Sequence, residues 1–161
     1  MELKKEPSEE LKLADAVAAL LDECRMILPG IQALFGFQLI AVFNSGFSEK
    51  LDTGEQYIHL AALALVALAA AVVMAPAAYH RQTGARRVSA GFIRLAGRLL
   101  LIALVPLALG IGMDFYLIAR VILQDPGLSL LLAVLLVLFF WGAWFMLPRV
   151  PALIRLTGKG D

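Results

Sequence analysis

The sequence predicts an all-α fold, a four-transmembrane-helix bundle preceded by a short amphipathic cytoplasmic surface helix. Of its 161 residues 61% are hydrophobic and the mean hydropathy is +0.83, whereas a soluble domain is roughly 45–50% apolar. Four apolar stretches each match the ~20 residues that a helix needs to cross ~30 Å of hydrocarbon. Lysine and arginine also gather in alternate loops, as they do around membrane spans.

The four apolar stretches define a transmembrane domain over residues 26–147. None of them shows the strict alternation of a barrel strand. Helices of a soluble bundle would need a polar outer stripe, but in the last stretch only Ser129 is polar besides two tryptophans. We therefore expect four transmembrane spans, at about residues 26–47, 57–79, 99–119 and 128–147.

The basic residues predict the orientation of the spans, because Lys and Arg favour cytoplasmic loops. The loops on the opposite side contain only Lys50 and Arg120. We therefore expect an inner-membrane, multi-pass protein with both termini in the cytoplasm. The basic residues on the predicted cytoplasmic side are Lys4, Lys5, Lys12, Arg25, Arg81, Arg86, Arg87, Arg94, Arg98, Arg149, Arg155 and Lys159.

The flanking segments are predicted to be cytoplasmic, with residues 1–25 before the spans and 148–161 as a tail. Residues 8–24 form an amphipathic pattern in which Ser8 is a predicted helix cap. This helix contains acidic residues, which are unusual in helices that bind only anionic lipid. We expect it to lie along the inner membrane surface and to contact the basic loop at 81–98. The lone cysteine, Cys24, excludes an internal disulfide.

Local signals predict where the spans begin and how they pack. Thr53 and Gln56 suggest a capping box before the second span, and Asp125 before Pro126 suits the start of the fourth. The second span is rich in alanine, so we place it at the centre of the bundle. One stripe of the first span is expected to face inward, and it comprises Arg25, Pro29, Gln32, Gly36, Leu39 and Phe43.

An ionisable group inside a span is costly and marks a candidate functional site. Asp114 lies about 9 Å inside the outer end of the third span, and His59, Gln38 and Asn44 fall at a comparable depth. Such a cluster could exchange protons or coordinate a cation. Alternatively, Asp114 pairs with His59 or Arg120 and only sets the register of the helices.

A second charged layer is expected at the inner end, and it comprises Asp22, Glu23, Arg25, His80, Arg81, Arg94 and Arg98. It is either a salt-bridged seam between the surface helix and the central loop, or a gate or lipid headgroup site. The sequence has no paired-histidine metal motif, glycine-rich phosphate loop or nucleophile beside a base. We therefore expect a non-enzymatic protein with no cofactor, no metal and no nucleic-acid partner.

Two motifs resemble a family of small bacterial four-helix inner-membrane proteins of unknown function. They are Asp22-Glu23-Cys24-Arg25 followed by Leu28-Pro29-Gly30-Ile31-Gln32-Ala33-Leu34-Phe35, and Ala75-Pro76-Ala77-Ala78-Tyr79-His80-Arg81. The resemblance covers about residues 15–145 and directs attention to Asp22, Arg25, Gln32, His80 and Arg81. Some relatives carry a sodium:proton antiporter label, although this sequence lacks a deep pair of acidic groups.

Two functional hypotheses follow from these patterns. In the first, the protein is a non-enzymatic membrane component whose polar groups organise packing or partner binding. In the second, it is a small oligomeric channel or transporter for a proton or cation. The expected partners are membrane lipid, a second copy of the chain and, under the second hypothesis, the ion.

Overall fold

The computed structural model describes residues 7–83 and 90–149. Within these ranges every secondary-structure element is a helix, and no strand is present. Four helices are long and apolar enough to cross a membrane, which confirms the predicted fold class. The predicted tail beyond residue 149, the loop at 84–89 and the first six residues lie outside the described ranges.

The first helix, α1, runs unbroken over Pro7–Val42. It includes both the predicted surface helix and the first span, so residues 8–24 are helical as predicted and continue directly into the span. Their position along the membrane surface stays a prediction. A seven-residue repeat of inward-facing side chains runs through both segments, so one side of a single helix can bury all of them. Those side chains are Val17, Cys24, Ile31 and Gln38, each less than 6% exposed.

A short helix, α2, covers Gly46–Lys50 and leads into α3, Thr53–Thr83. The capping box at the start of α3 involves Asp52 and Glu55 instead of the predicted Thr53 and Gln56. Glu55 N donates to Asp52 Oδ1 at 2.8 Å, and Asp52 N donates to Glu55 Oε2 at 3.0 Å. The pair satisfies two backbone donors that the first turn of a helix leaves free.

The helices of the third and fourth spans form a tight hairpin. Helix α4 covers Ala90–Leu123, and α5 begins at Pro126 and ends at Trp141. Asp125 caps α5 by accepting from Gly127 N and Leu128 N. The turn requires a positive φ at Gln124, and α5 continues into a π-helical turn, Gly142–Met146.

The helices pack around α3 and α4. Helix α3 contacts both α1 and α4, as expected of a central alanine-rich helix, and α4 also contacts α1 and α5. Close approach of α3 and α4 depends on Gly110, where an added Cβ would lie 2.8 Å from Val66 Cγ2 and 3.0 Å from the Ala62 carbonyl oxygen. Small residues therefore bring these two backbones together.

Candidate functional site

The half of the bundle that the charge pattern predicts to be the outer one contains a polar cluster, made by one residue from each of three helices. These residues are Gln38 of α1, His59 of α3 and Asp114 of α4, and the names outer and inner end are used in this predicted sense. The Gln38 Nε2 amide donates to Asp114 Oδ2. His59 Nδ1 lies 3.0 Å from Asp114 Oδ1, and His59 Nε2 lies 3.0 Å from the backbone oxygen of Gln38. We call these three residues the outer cluster, and it joins the three helices at one depth.

The hydrogen bonds of His59 determine how many protons the His59–Asp114 contact holds. The carbonyl of Gln38 can only accept, so Nε2 must carry a hydrogen. A hydrogen bond between Nδ1 and Oδ1 then needs one further proton, which belongs either to an imidazolium beside a carboxylate or to a carboxylic acid beside a neutral imidazole. Both arrangements have zero net charge, which lowers the cost of burial.

Neighbouring contacts hold the outer cluster in place. The capping box of Asp52 and Glu55 begins α3 one turn before His59. Glu55 also pairs with Arg120 at 3.4 Å across to α4, and the ring of Phe47 meets His59 edge-on at a centroid distance of 5.2 Å. These contacts order the outer ends of α3 and α4 and cover the imidazole.

A cleft of about 510 Å³ reaches the outer cluster. Its walls are largely apolar and come from α1, α2 and α4, whereas the three cluster residues line its floor. Gln38 is 4% exposed, and its Oε1 is a buried side-chain oxygen with no hydrogen-bond partner among the described residues. The cluster thus retains one unused acceptor beside an open volume.

Below the outer cluster, the interface between α3 and α4 is apolar and closely packed. Ala62, Val66 and Ala69 of α3 have no exposed surface. Val66 and Ala69 belong to the same buried cluster as Ala103 and Leu107 of α4. This apolar layer separates the outer cluster from the inner end of the bundle.

At the inner end the structure brings together only some of the predicted residues. Arg25, His80 and Arg81 line a cavity of about 390 Å³ together with Cys24. Asp22 bonds Arg25 of its own helix at 3.1 Å, with both side chains mostly exposed. No ion pair in the described ranges joins α1 to the basic residues of α3 or α4, so the predicted inter-helix seam is not seen there.

Apolar contacts connect α1 to α4 at the inner end instead. Val17, Leu20 and Cys24 belong to the same buried cluster as Phe92 and Ala96. The part of α1 predicted to lie on the membrane surface therefore packs against the bundle through its hydrophobic side chains.

The stripe of the first span that was expected to face inward faces outward. Arg25 and Gln32 are exposed, and Phe43 is 87% exposed. The prediction is wrong because the seven-residue repeat ending at Gln38 occupies the packed side of α1. The amide of Gln32 consequently lies on the side of α1 that faces away from the bundle. An added Cβ at Gly36, one turn further along, would have no atom within 4 Å.

Three site features were missed or misassigned from the sequence. Gln38 was expected in the cluster, but its double contribution, through its amide and its backbone carbonyl, was not predicted. Asn44 does not join the cluster, because its Oδ1 accepts from Gly46 N. Arg120, an expected partner of Asp114, pairs with Glu55. Glu55 stands three residues after Asp52, which is the spacing of a capping box. This spacing was the signal in the sequence from which the position of Glu55 could have been predicted.

A metal centre is not suggested by the described side chains: no group of three or more His, Cys, Asp and Glu residues in the described ranges could hold an ion. The side chains of the outer cluster offer hydrogen-bond donors and acceptors.

Comparison with known proteins identifies a family. No curated protein and no solved structure matches the chain. A family model described as a family of unknown function, DUF6328, matches residues 6–148, which include all four spans and the outer cluster. The chain therefore belongs to the DUF6328 family.

Proposed function

We propose that the protein is a non-enzymatic component of the inner membrane whose polar groups organise helix packing and partner binding. One observation carries the proposal: Gln38, His59 and Asp114 bond to one another across three helices. Groups that satisfy one another in this way hold helices together, since lipid offers no competing hydrogen-bond partner.

The inner membrane and the cytoplasmic location of both termini are part of this proposal. The charge bias between loops supports it, because only Lys50 and Arg120 stand among the outer loops. A reporter protein that works only in the cytoplasm should be active when it is fused after Asp161. Activity of a reporter that requires export would contradict the orientation.

Partner binding is proposed for the outward face of α1. An amide exposed to hydrocarbon is costly unless another polar group meets it. Gln32 is such an amide, and Gly36 beside it leaves room for a close helix. A second copy of the chain would supply a matching glutamine, because an amide both donates and accepts.

The variant Asp114→Asn tests whether hydrogen bonding is the role of Asp114. Asparagine can donate to Nδ1 of a neutral imidazole and accept from the Gln38 amide, so every bond of the cluster is retained. We expect the free energy of unfolding, measured by denaturation in mixed micelles, to change by less than about 1 kcal/mol. A loss as large as that of Asp114→Ala would contradict the hydrogen-bond account.

Liposomes that contain the purified protein provide the functional test. We expect an imposed pH or sodium gradient to persist as long as it does in protein-free liposomes, read by a pH-sensitive or sodium-sensitive dye. Rapid dissipation of either gradient would overturn the proposal.

The second candidate function is a proton or cation pathway. Two observations favour it: the cleft reaches Asp114, and the Oε1 atom of Gln38 has no partner in the described ranges. A route would also have to cross the layer at Val66, which has no exposed surface, so it requires a second conformation or an oligomer. Under this function Asp114→Asn keeps its stability but loses the flux, which separates the two candidates.

A further inference from the structure

The cleft above the outer cluster opens sideways, toward the lipid. Several of its lining side chains belong to the spans and remain largely exposed, with Phe37 71%, Ile118 58% and Ile122 72% exposed. These apolar side chains are in contact with hydrocarbon when the bundle is in a membrane. A molecule dissolved in the bilayer can therefore enter between α1 and α4 without passing through water.

One acceptor on a residue that lines the cleft has no partner among the described residues. Both carboxylate oxygens of Asp114 and both ring nitrogens of His59 already have partners. The Gln38 Oε1 atom has no partner among the described residues, although Gln38 is only 4% exposed. A buried acceptor without a partner costs about 1–3 kcal/mol, so the site favours a ligand that donates a hydrogen bond.

Charges around the cleft restrict the ligand further. Lys50 lines the outer rim and forms no ion pair within the described residues, so it disfavours a cation. The free Gln38 Oε1 atom can only accept a hydrogen bond, and the His59–Asp114 pair beside it has no net charge to offset the burial of an anion, so the floor of the cleft disfavours an anion. An uncharged donor avoids both penalties, and the volume of about 510 Å³ lies within the ~300–1,000 Å³ of small-molecule sites.

We propose that the cleft binds an uncharged, lipid-soluble molecule that carries a hydroxyl group. The hydroxyl donates to Gln38 Oε1, and the apolar body lies between the walls formed by Phe37 and Ile118. This site is additional to the packing role of the outer cluster and does not require transport.

The test uses two photoreactive probes that differ only in the hydrogen-bond donor: a diazirine-bearing dodecanol and its methyl ether. The purified full-length protein in lipid nanodiscs is illuminated with each probe, and labelled peptides are identified by mass spectrometry. We expect the alcohol to label the segments 34–51 and 114–122 about threefold to tenfold more than the ether does, which corresponds to one net hydrogen bond. Excess unlabelled dodecanol should remove that labelling.

Two variants separate the site from non-specific partitioning. Ala41→Phe fills the cleft without touching the cluster and should abolish labelling of both segments, whereas Ala33→Phe on the same helix should not, since Ala33 does not line the cleft. Gln38→Leu should remove the preference for the alcohol. Equal labelling by alcohol and ether, or unchanged labelling in Ala41→Phe, would overturn the proposal even if Gln38→Leu failed to fold.

Discussion

The two ends of the bundle differ in how deeply their charged residues are buried and in which helices those residues join. At the outer end, His59 and Asp114 are largely buried, with side chains 9% and 16% exposed, and they join α3 to α4. At the inner end, Asp22 and Arg25 are 64% and 80% exposed, and among the described residues they bond only within α1. Hydrogen bonds therefore connect the helices at the outer end, whereas apolar contacts connect them at the inner end.

The difference teaches that burial, not the presence of charge, decides what a polar pair does. An exposed pair gains little because water and salt screen it. A buried pair contributes little net energy when complete, yet the loss of one member is costly because the other remains buried without a partner. The four predictions below test this contrast, from the largest expected effect to the smallest.

The largest effect is expected for Asp114→Ala, which leaves the buried His59 and Gln38 without their common partner. We expect the free energy of unfolding in mixed micelles to fall by about 2–3 kcal/mol, near the lower limit for a broken buried pair because hydrogen bonds in membrane proteins are weaker. Asp22→Ala is the control and should change it by less than about 0.5 kcal/mol. Equal effects of the two substitutions would remove the contrast between the ends.

Packing of α4 should show the same asymmetry along its length. Gly110→Ala places a Cβ against Val66 and the Ala62 carbonyl, and we expect a loss of about 1–3 kcal/mol from overpacking. Gly97→Ala, nearer the inner end, meets nothing within 4 Å and should stabilise the helix by up to ~1 kcal/mol. Denaturation curves of the two variants should therefore shift in opposite directions.

Gln32 lies between the two ends of the bundle. We expect its substitution to change the association of two copies of the chain and not the stability of one copy. Gln32→Leu is expected to weaken self-association by about 1 kcal/mol, because it removes a hydrogen bond between helices in lipid. Energy transfer between labelled copies in liposomes measures this change, and Ile40→Leu on the exposed side of the same helix is the control. Unchanged transfer in Gln32→Leu would exclude this face as the contact.

The smallest effect is expected for the exposed pair itself. A double-mutant cycle on Asp22 and Arg25 should yield a coupling energy of about 0.3 kcal/mol, typical of neighbouring charges on one helix. The corresponding cycle on His59 and Asp114 should exceed it at least threefold. A larger coupling at the inner pair would show that water does not screen it.

Much of the fold could be predicted because the signals were local or counted over long segments. Four spans follow from apolar length, and the cap at Asp125 follows from a carboxylate directly before Pro126. The sequence also placed His59 and Asp114 at comparable depth, since the rise per residue of a helix is constant. The structure brings these two side chains into contact.

The rotation of α1 about its axis could not be predicted from the sequence. In water, polar residues mark the exposed face, but in lipid the exposed face is as apolar as the packed one. Gln32 therefore suggested an inward face, and Gln38, which is the true inward amide, was not distinguished from it. The predicted cap of α3 was wrong for a different reason. Asp52 and Thr53 are adjacent and both residue types are good helix caps, so the sequence did not distinguish them.

The uninterrupted length of α1 has a mechanical consequence. At about 1.5 Å per residue its 36 residues extend about 54 Å, well beyond the ~30 Å of hydrocarbon. One half of this helix carries Val17 and Cys24, which pack at the inner end, and the other half carries Gln38 of the outer cluster. A change in the tilt of the first half is therefore transmitted along a single backbone to the hydrogen bonds that Gln38 makes.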